Sequence, residues 1–302
     1  MSVYLGAFLL ILNCIFFGIG NAFSSDLLDQ IPLFTYLSLR FGAAVVIFLL
    51  VFHRRLFRNI PSLRRGVWPL VGICLFTVAS YVFSNVSFAL AKPSIAGFMV
   101  SVSVLFSPFL AALLYKTRIG FRIYPIILLT VVGLYLLCGG FDLRFSFGWG
   151  EFFGLLTSVV FAAQLVFTGK YLSVYRWDPI MLAAVQAGAV ALISIPCALI
   201  FDPPLVWSRY DMKDWLSLGF IVLFCTLLLY IFQNFALERV SPVFASVAMS
   251  TEMIFTMIAS HFICGDTLSL SAIIGGILVF ASVVLASLFT EQAPGKTEKT
   301  DE

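Results

Sequence analysis

Ten uninterrupted apolar runs follow one another along this chain, with only short polar connections between them. They cover residues 3–23, 32–52, 67–89, 93–115, 123–140, 149–171, 179–201, 215–237, 242–264 and 268–289. An α-helix rises 1.5 Å per residue, so about 20 residues reach across roughly 30 Å of hydrocarbon. A membrane-spanning barrel would alternate polar and apolar residues at period two, and these runs do not. Pro32, Pro69, Pro93, Pro125, Pro179 and Pro242 stand at or near run starts, where a missing N–H costs least. Composition closes the soluble alternative: 11% of residues are charged, against about 25% in an average soluble domain. The expected fold class is an all-α integral membrane protein of ten transmembrane helices. The first run lacks a basic flank and is followed by nine more, so it is expected to be a span and not a signal peptide. The polar residues 291–302 read as a disordered tail.

Charge placement orients such a bundle. If the N-terminus is cytoplasmic, the connections on that side hold thirteen Lys and Arg, among them Arg54, Arg55, Arg58, Arg64 and Arg65. The other side holds four: Lys92, Arg144, Arg209 and Lys213. The positive-inside rule then expects both termini in the cytoplasm and a multi-pass protein of the cell membrane. The six cysteines fall inside the runs with no CxxC spacing, so they read as small buried hydrophobes without a metal role.

The chain also says one thing twice. YVFSNVSFAL begins at Tyr81 and YIFQNFAL at Tyr230. Extended backwards, the copies give Thr77, Tyr81, Asn85 and Thr226, Tyr230, Asn234, each spaced i, i+4, i+8 and so a polar stripe on one helix face. Pro32 recurs as Pro179, and Gly6 as Gly150. Five spans per copy make the second half enter the membrane from the opposite side. Such 5+5 inverted-topology repeats enclose the central sites of many secondary transporters. The same polar groups are also able to act as interhelical glue.

Among single residues Glu252 stands out, because an acid in the middle of a span is costly and usually faces protein or water. Ala248, Glu252, Thr256 and Ser260 form a small, polar stripe. The first half offers Leu105 or Ser107 at the corresponding place, so the acid breaks the internal symmetry. Glu252 is able to carry a coupling proton or hold a cationic group, or to serve as a structural carboxyl. Arg40 lies about a third of the way into the second span, where it either meets an anionic group or anchors the fold. Asn13, Asn21, Gln164, Gln186 and Gln233 are further polar groups at depth, each open between solute contact and interhelical glue. Gly150 and Gly154 make a GxxxG, which serves close helix packing within the chain or a homodimer.

The stretches FALAKPSIAGFMVSVSVLFSPFLAALL (88–114) and QNFALERVSPVFASVAMSTEMIF (233–255), with PLFTYLSLRF from Pro32, resemble the drug/metabolite transporter superfamily in its EamA-like branch. The shared pattern is an Ala-Leu helix end, a Ser-Pro or Pro-Ser turn, then a helix carrying a central Glu or Pro. Met253 after the Glu, Phe17 before Gly18 and Asp266 after Gly265 depart from it. The resemblance implies two five-helix repeats, residues 1–140 and 148–290, and transport of amino acids, metabolites or drugs, often outward.

The expected function is therefore a secondary transporter for a small organic solute. Its expected solute contacts are Glu252, Thr77, Tyr81, Asn85, Thr226, Tyr230, Asn234, Arg40, Gln233 and Thr256. No cofactor, metal or nucleic acid is expected as a partner. No GxxxxGK[ST] loop offers direct ATP coupling, and no HExxH, GxSxG or paired-acid set supports an intramembrane enzyme. A receptor, scaffold or scramblase-like protein without a solute path is the alternative.

Overall fold

The computed structural model describes residues 3–28, 30–91, 93–116, 120–137, 148–204, 210–264 and 269–289. The expected tail at 291–302, the end of the fifth run at 138–140, Cys138, Asp266, Lys92, Arg144 and Arg209 lie outside them. Among the described residues the chain is helical and contains no strand. Helix α1 (Val3–Leu28) is followed by α2 (Leu33–Leu63) and, after a 3-10 turn at Arg64–Gly66, by α3 (Val67–Leu90). Next come α4 (Pro93–Ser101), α5 (Ser103–Tyr115) and α6 (Ile123–Leu137). The second half holds α7 (Trp149–Tyr175), α8 (Pro179–Phe201) and α9 (Met212–Val222), then a π-helical segment at Leu223–Leu228. It ends with α10 (Leu229–Leu237), α11 (Pro242–Met249), α12 (Glu252–Cys264) and α13 (Leu270–Phe289).

Among the described residues, seven continuous helical stretches are long and apolar enough to cross a membrane, and two shorter apolar helices join them. One of the seven is the whole of Leu33–Leu90. Its charged middle was expected to be a connection from residue 53, yet α2 runs on to Leu63. Arg and Leu favour helix, and nothing breaks it before Pro61. The chain turns at Gly66, whose φ of −155° and ψ of 49° leave the helical region.

Local chemistry starts the helices where the prolines stand. Asp178 caps α8 by accepting from the N–H groups of Ile180 and Met181, both at 3.0 Å, with Pro179 at the first helical position. Ser241 caps α11 in the same way, accepting from Phe244 N–H at 3.2 Å ahead of Pro242.

Three of the expected runs are not single regular helices. The fourth breaks at Val102, the eighth loosens into the π segment, and the ninth breaks at Ser250 and Thr251. The offset of 149 residues that carries Thr77 to Thr226 and Pro93 to Pro242 also carries Val102 to Thr251. The same kink thus occurs once in each half. Ser103 opens α5 as Glu252 opens α12, so Ser103, and neither Leu105 nor Ser107, occupies the place that corresponds to the acid.

The halves pack across one another as antiparallel pairs. α2 lies on α8, with Thr35 at one end bound to Asp202 (N–H 2.5 Å, hydroxyl 2.8 Å) and Arg55 at the other paired with Asp178 at 2.7 Å. α3 lies on α7, where the Ser87 hydroxyl donates to Gly150 O at 2.8 Å and Gly66 meets Tyr175 and Trp177. α1 lies in the same way on α9 and α10, with Gly20 against Cys225 and Gly6 against Val240. α6 lies on α13, where Thr130 donates to the Ser282 hydroxyl at 2.8 Å. Exchanging the halves turns the α3–α7 pairing into the α10–α1 pairing and leaves α2–α8 and α6–α13 paired as before. Gly150 and Gly154 abut Ala91 and Met99, so the GxxxG packs helices within the chain.

These pairings define two ends of the bundle. The basic face carries Arg54, Arg55, Arg58, Arg64 and Arg65, and the opposite face carries the C-terminal ends of α1, α3 and α12.

α1 and α12 approach to backbone contact at Gly18. A Cβ there would lie 2.6 Å from Phe255 Cβ and 2.7 Å from Thr256 N. Gly18→Leu is expected to destabilise the bundle by about 1–3 kcal/mol through overpacking, seen as a lowered unfolding temperature in detergent.

Candidate functional site

The centre of the bundle is a polar layer built where the unequal halves meet. Arg40, on α2, is 5% exposed and reaches across to the π segment. Its Nε donates to Thr226 Oγ1 at 2.6 Å, its Nη2 to Cys225 O at 2.6 Å, and its Nη1 to Tyr36 OH at 3.4 Å. The guanidinium also lies over the rings of Phe17, Phe41 and Tyr81 at 5.4–5.8 Å. A π turn displaces backbone carbonyls from regular i→i+4 pairing, and here one of them, Cys225 O, takes the arginine.

The other half makes the same contact without the charge. Gln186, on α8, donates from Nε2 to Thr77 Oγ1 at 3.4 Å, as Arg40 does to Thr226. Counting from Pro32 and Pro179, Arg40 corresponds to Ala187, next to Gln186. Gln186 Oε1 in turn accepts from Asn234 Nδ2 at 3.0 Å, which also bonds Pro179 O at 3.2 Å. Tyr81 and Tyr230 complete the layer, with ring centroids 6.4 Å apart and Phe41 against both.

Glu252, at the first residue of α12, sits beside this layer: its partner Asn21 follows Gly20, which abuts Cys225. The break before it is supported by hydroxyls that bond back to carbonyls: Ser250 to Ser246 O at 3.1 Å and Thr251 to Ala248 O at 2.7 Å. Cys14, on α1, contacts the same Ala248 carbonyl at 3.5 Å. A carboxylate on the first turn of a helix is favoured by the free N–H groups there. Glu252 Oε1 accepts from Asn21 Nδ2 at 2.8 Å, and the same Nδ2 lies 3.3 Å from Thr256 Oγ1. Among the described residues Glu252 has no cationic partner within ion-pair distance, Arg40 included.

The structure brings most of the expected residues to one region but treats the two stripes differently. Thr77 is buried, while Tyr81 and Asn85 are half-buried, as are Asn21, Glu252 and Thr256. Their counterparts Thr226, Tyr230 and Asn234 are all at most 2% exposed. Asn85 Nδ2 bonds the Tyr81 carbonyl at 2.7 Å within its own helix. Gln233 stands apart, bonded to Gln164 at 3.3 Å nearer the basic face. A shallow crevice bounded by Leu27, Ile31, Tyr210, Asp214, Trp215 and Leu218 lies at the opposite face, and Glu252 does not line it.

Sequence reasoning left Gln186 and Asn21 open between solute contact and interhelical glue, and it did not single out Tyr36. Their signals are in the chain: Tyr36 precedes Arg40 by one helical turn, and the Ser-Thr pair before Glu252 marks the helix break.

A bundle of apolar helices with an internal polar layer and paired halves defines a multi-pass membrane protein. Comparison with known proteins gives its family. The model of the EamA-like transporter family matches residues 4–139 and again 148–288. The chain belongs to the EamA-like transporter family, within the drug/metabolite transporter superfamily. An uncharacterized transporter of Archaeoglobus fulgidus is 24% identical over 265 residues, covering 86% of this chain and 79% of that protein. A solved structure titled only as the crystal structure of a protein superposes with a TM-score of 0.78 at 17% identity, over 93% of this chain and 96% of the other. That likeness supports the fold.

Proposed function

We propose that this chain is a secondary transporter, most plainly an exporter or permease, that moves a small organic metabolite such as an amino acid or a drug-like solute by alternating access. Its ten crossings form two inverted five-helix repeats, residues 1–140 and 148–290, with both termini in the cytoplasm. The length of Leu33–Leu90 supports two crossings there, because 58 residues of straight helix would far exceed one bilayer.

The observation that carries this reading is the unequal burial of two equivalent stripes. Thr77 and Thr226 make the same cross-half contact, yet Tyr81 and Asn85 are only partly buried where Tyr230 and Asn234 are sealed. A protein built of inverted halves reaches its second state by exchanging those environments. The half-buried groups Asn21, Tyr81, Glu252 and Thr256 then hold the solute, with Glu252 binding a cationic group or a coupling proton.

Labelling tests this directly. In a cysteine-free background, Asn85→Cys is expected to react with a membrane-impermeant thiol reagent added at the opposite face. A comparison of metabolites between cells with and without the protein supplies the solute, which should slow that reaction. Failure to label at residues 77, 81 and 85 from either side would favour a receptor, scaffold or scramblase-like protein.

A further inference from the structure

On the basic-face side of Glu252 lies another set of polar side chains: Asn13 on α1, Gln164 and Thr168 on α7, and Gln233 on α10. All four are at most 2% exposed. Gln233 Nε2 donates to Gln164 Oε1 at 3.3 Å. Gln164 Nε2, Thr168 Oγ1 and both amide atoms of Asn13 are buried without a partner. Gly6, Asn13 and Gly20 are seven residues apart and so share one face of α1. Gly6 abuts Ala236 and Val240, and Gly20 abuts Ile221 and Cys225. Asn13, halfway between, therefore lies on the face of α1 turned toward α10, whose middle residue is Gln233. Thr168 lies one turn beyond Gln164 on α7.

A permanently orphaned buried polar atom carries a desolvation cost that apolar side chains of similar size would avoid. Both donors and acceptors are left open, and none of the four groups is charged. The offset of 144 residues that carries Gly6 to Gly150 carries Asn13 to Thr157, whose hydroxyl is bonded to Phe153 O at 2.8 Å in its own helix. The corresponding place in the other half is thus internally satisfied.

We infer that Asn13, Gln164, Thr168 and Gln233 form a second station of the solute path, which binds water and the neutral hydrogen-bonding groups of the solute, amide or hydroxyl, when the basic-face side opens. The station rests on the alternating-access reading. It takes no part in charge recognition, which remains with Glu252.

The test uses single-cysteine full-length protein in vesicles, with the quaternary-ammonium thiosulfonate reagent added at the basic face. Asn13→Cys, Gln164→Cys and Gln233→Cys are expected to react at least about tenfold faster than Leu165→Cys, since a minor open state is visited far more often than global unfolding. If none of the three exceeds Leu165→Cys while Asn85→Cys still labels from the opposite face, the station is wrong and the transport reading stands. If Asn85→Cys is silent as well, both fall. Gln164→Leu gives an independent measure: lost transport with an equal or higher unfolding temperature supports the station, and unchanged transport overturns it.

Discussion

Glu252→Gln is expected to abolish solute flux, or to displace its pH profile, while the protein still folds and reaches the membrane. The substitution keeps the shape of the side chain and its hydrogen bond with Asn21, 2.8 Å away, because an amide oxygen accepts as a carboxylate does. It removes only the charge and the ability to take up a proton. A structural carboxyl would tolerate this change with little loss, since interhelical hydrogen bonds in membranes average about 0.6 kcal/mol. A group that binds a cation or proton during the cycle would not. Flux in reconstituted vesicles across a range of pH decides the matter, and an unchanged rate and profile would make Glu252 a packing residue.

Arg40→Lys should damage stability more than solute affinity. Arginine at this position gives three of its nitrogens to Thr226, Cys225 O and Tyr36, and its charge lies within 5.4–5.8 Å of three aromatic ring centres. An ammonium cannot reproduce that fork. Losing two such bonds and weakening the cation–ring contacts is expected to cost about 2–3 kcal/mol, given up to about 1.7 kcal/mol for a strong interhelical bond. The unfolding temperature in detergent should fall. An unaltered unfolding temperature combined with a weakened solute affinity would instead make Arg40 a solute ligand with its protein bonds incidental.

Much of the architecture is written in the order of residues. The apolar runs locate the helices, since lipid demands about 20 apolar residues for each crossing. The Thr-Tyr-Asn stripes identify the central layer, because i+4 spacing fixes a helix face whatever surrounds it. Less legible were the breaks. Val102 is an ordinary helix residue in isolation, and its turn becomes apparent only beside Thr251 of the other half. The π segment at Leu223–Leu228 is likewise hard to read, since the Arg40 that bonds Thr226 and Cys225 O within it is 186 residues away from Thr226 in sequence. Arg40 itself was open between anion contact and anchor, because its partners arrive from a distant helix. Nor does spacing reveal that one stripe is sealed and the other half-open, which depends on the packing of whole helices.

The placement of Arg40 and Glu252 has an energetic corollary. A duplicated transporter with matching halves would occupy its two conformers equally, as a balance with identical pans. Here the cation has an uncharged neighbour of Gln186 in its mirrored position, and the acid has Ser103. The pans are weighted differently, so under the proposed alternating-access cycle the empty protein would favour one conformer at rest, and the two directions of travel would start from unequal footing.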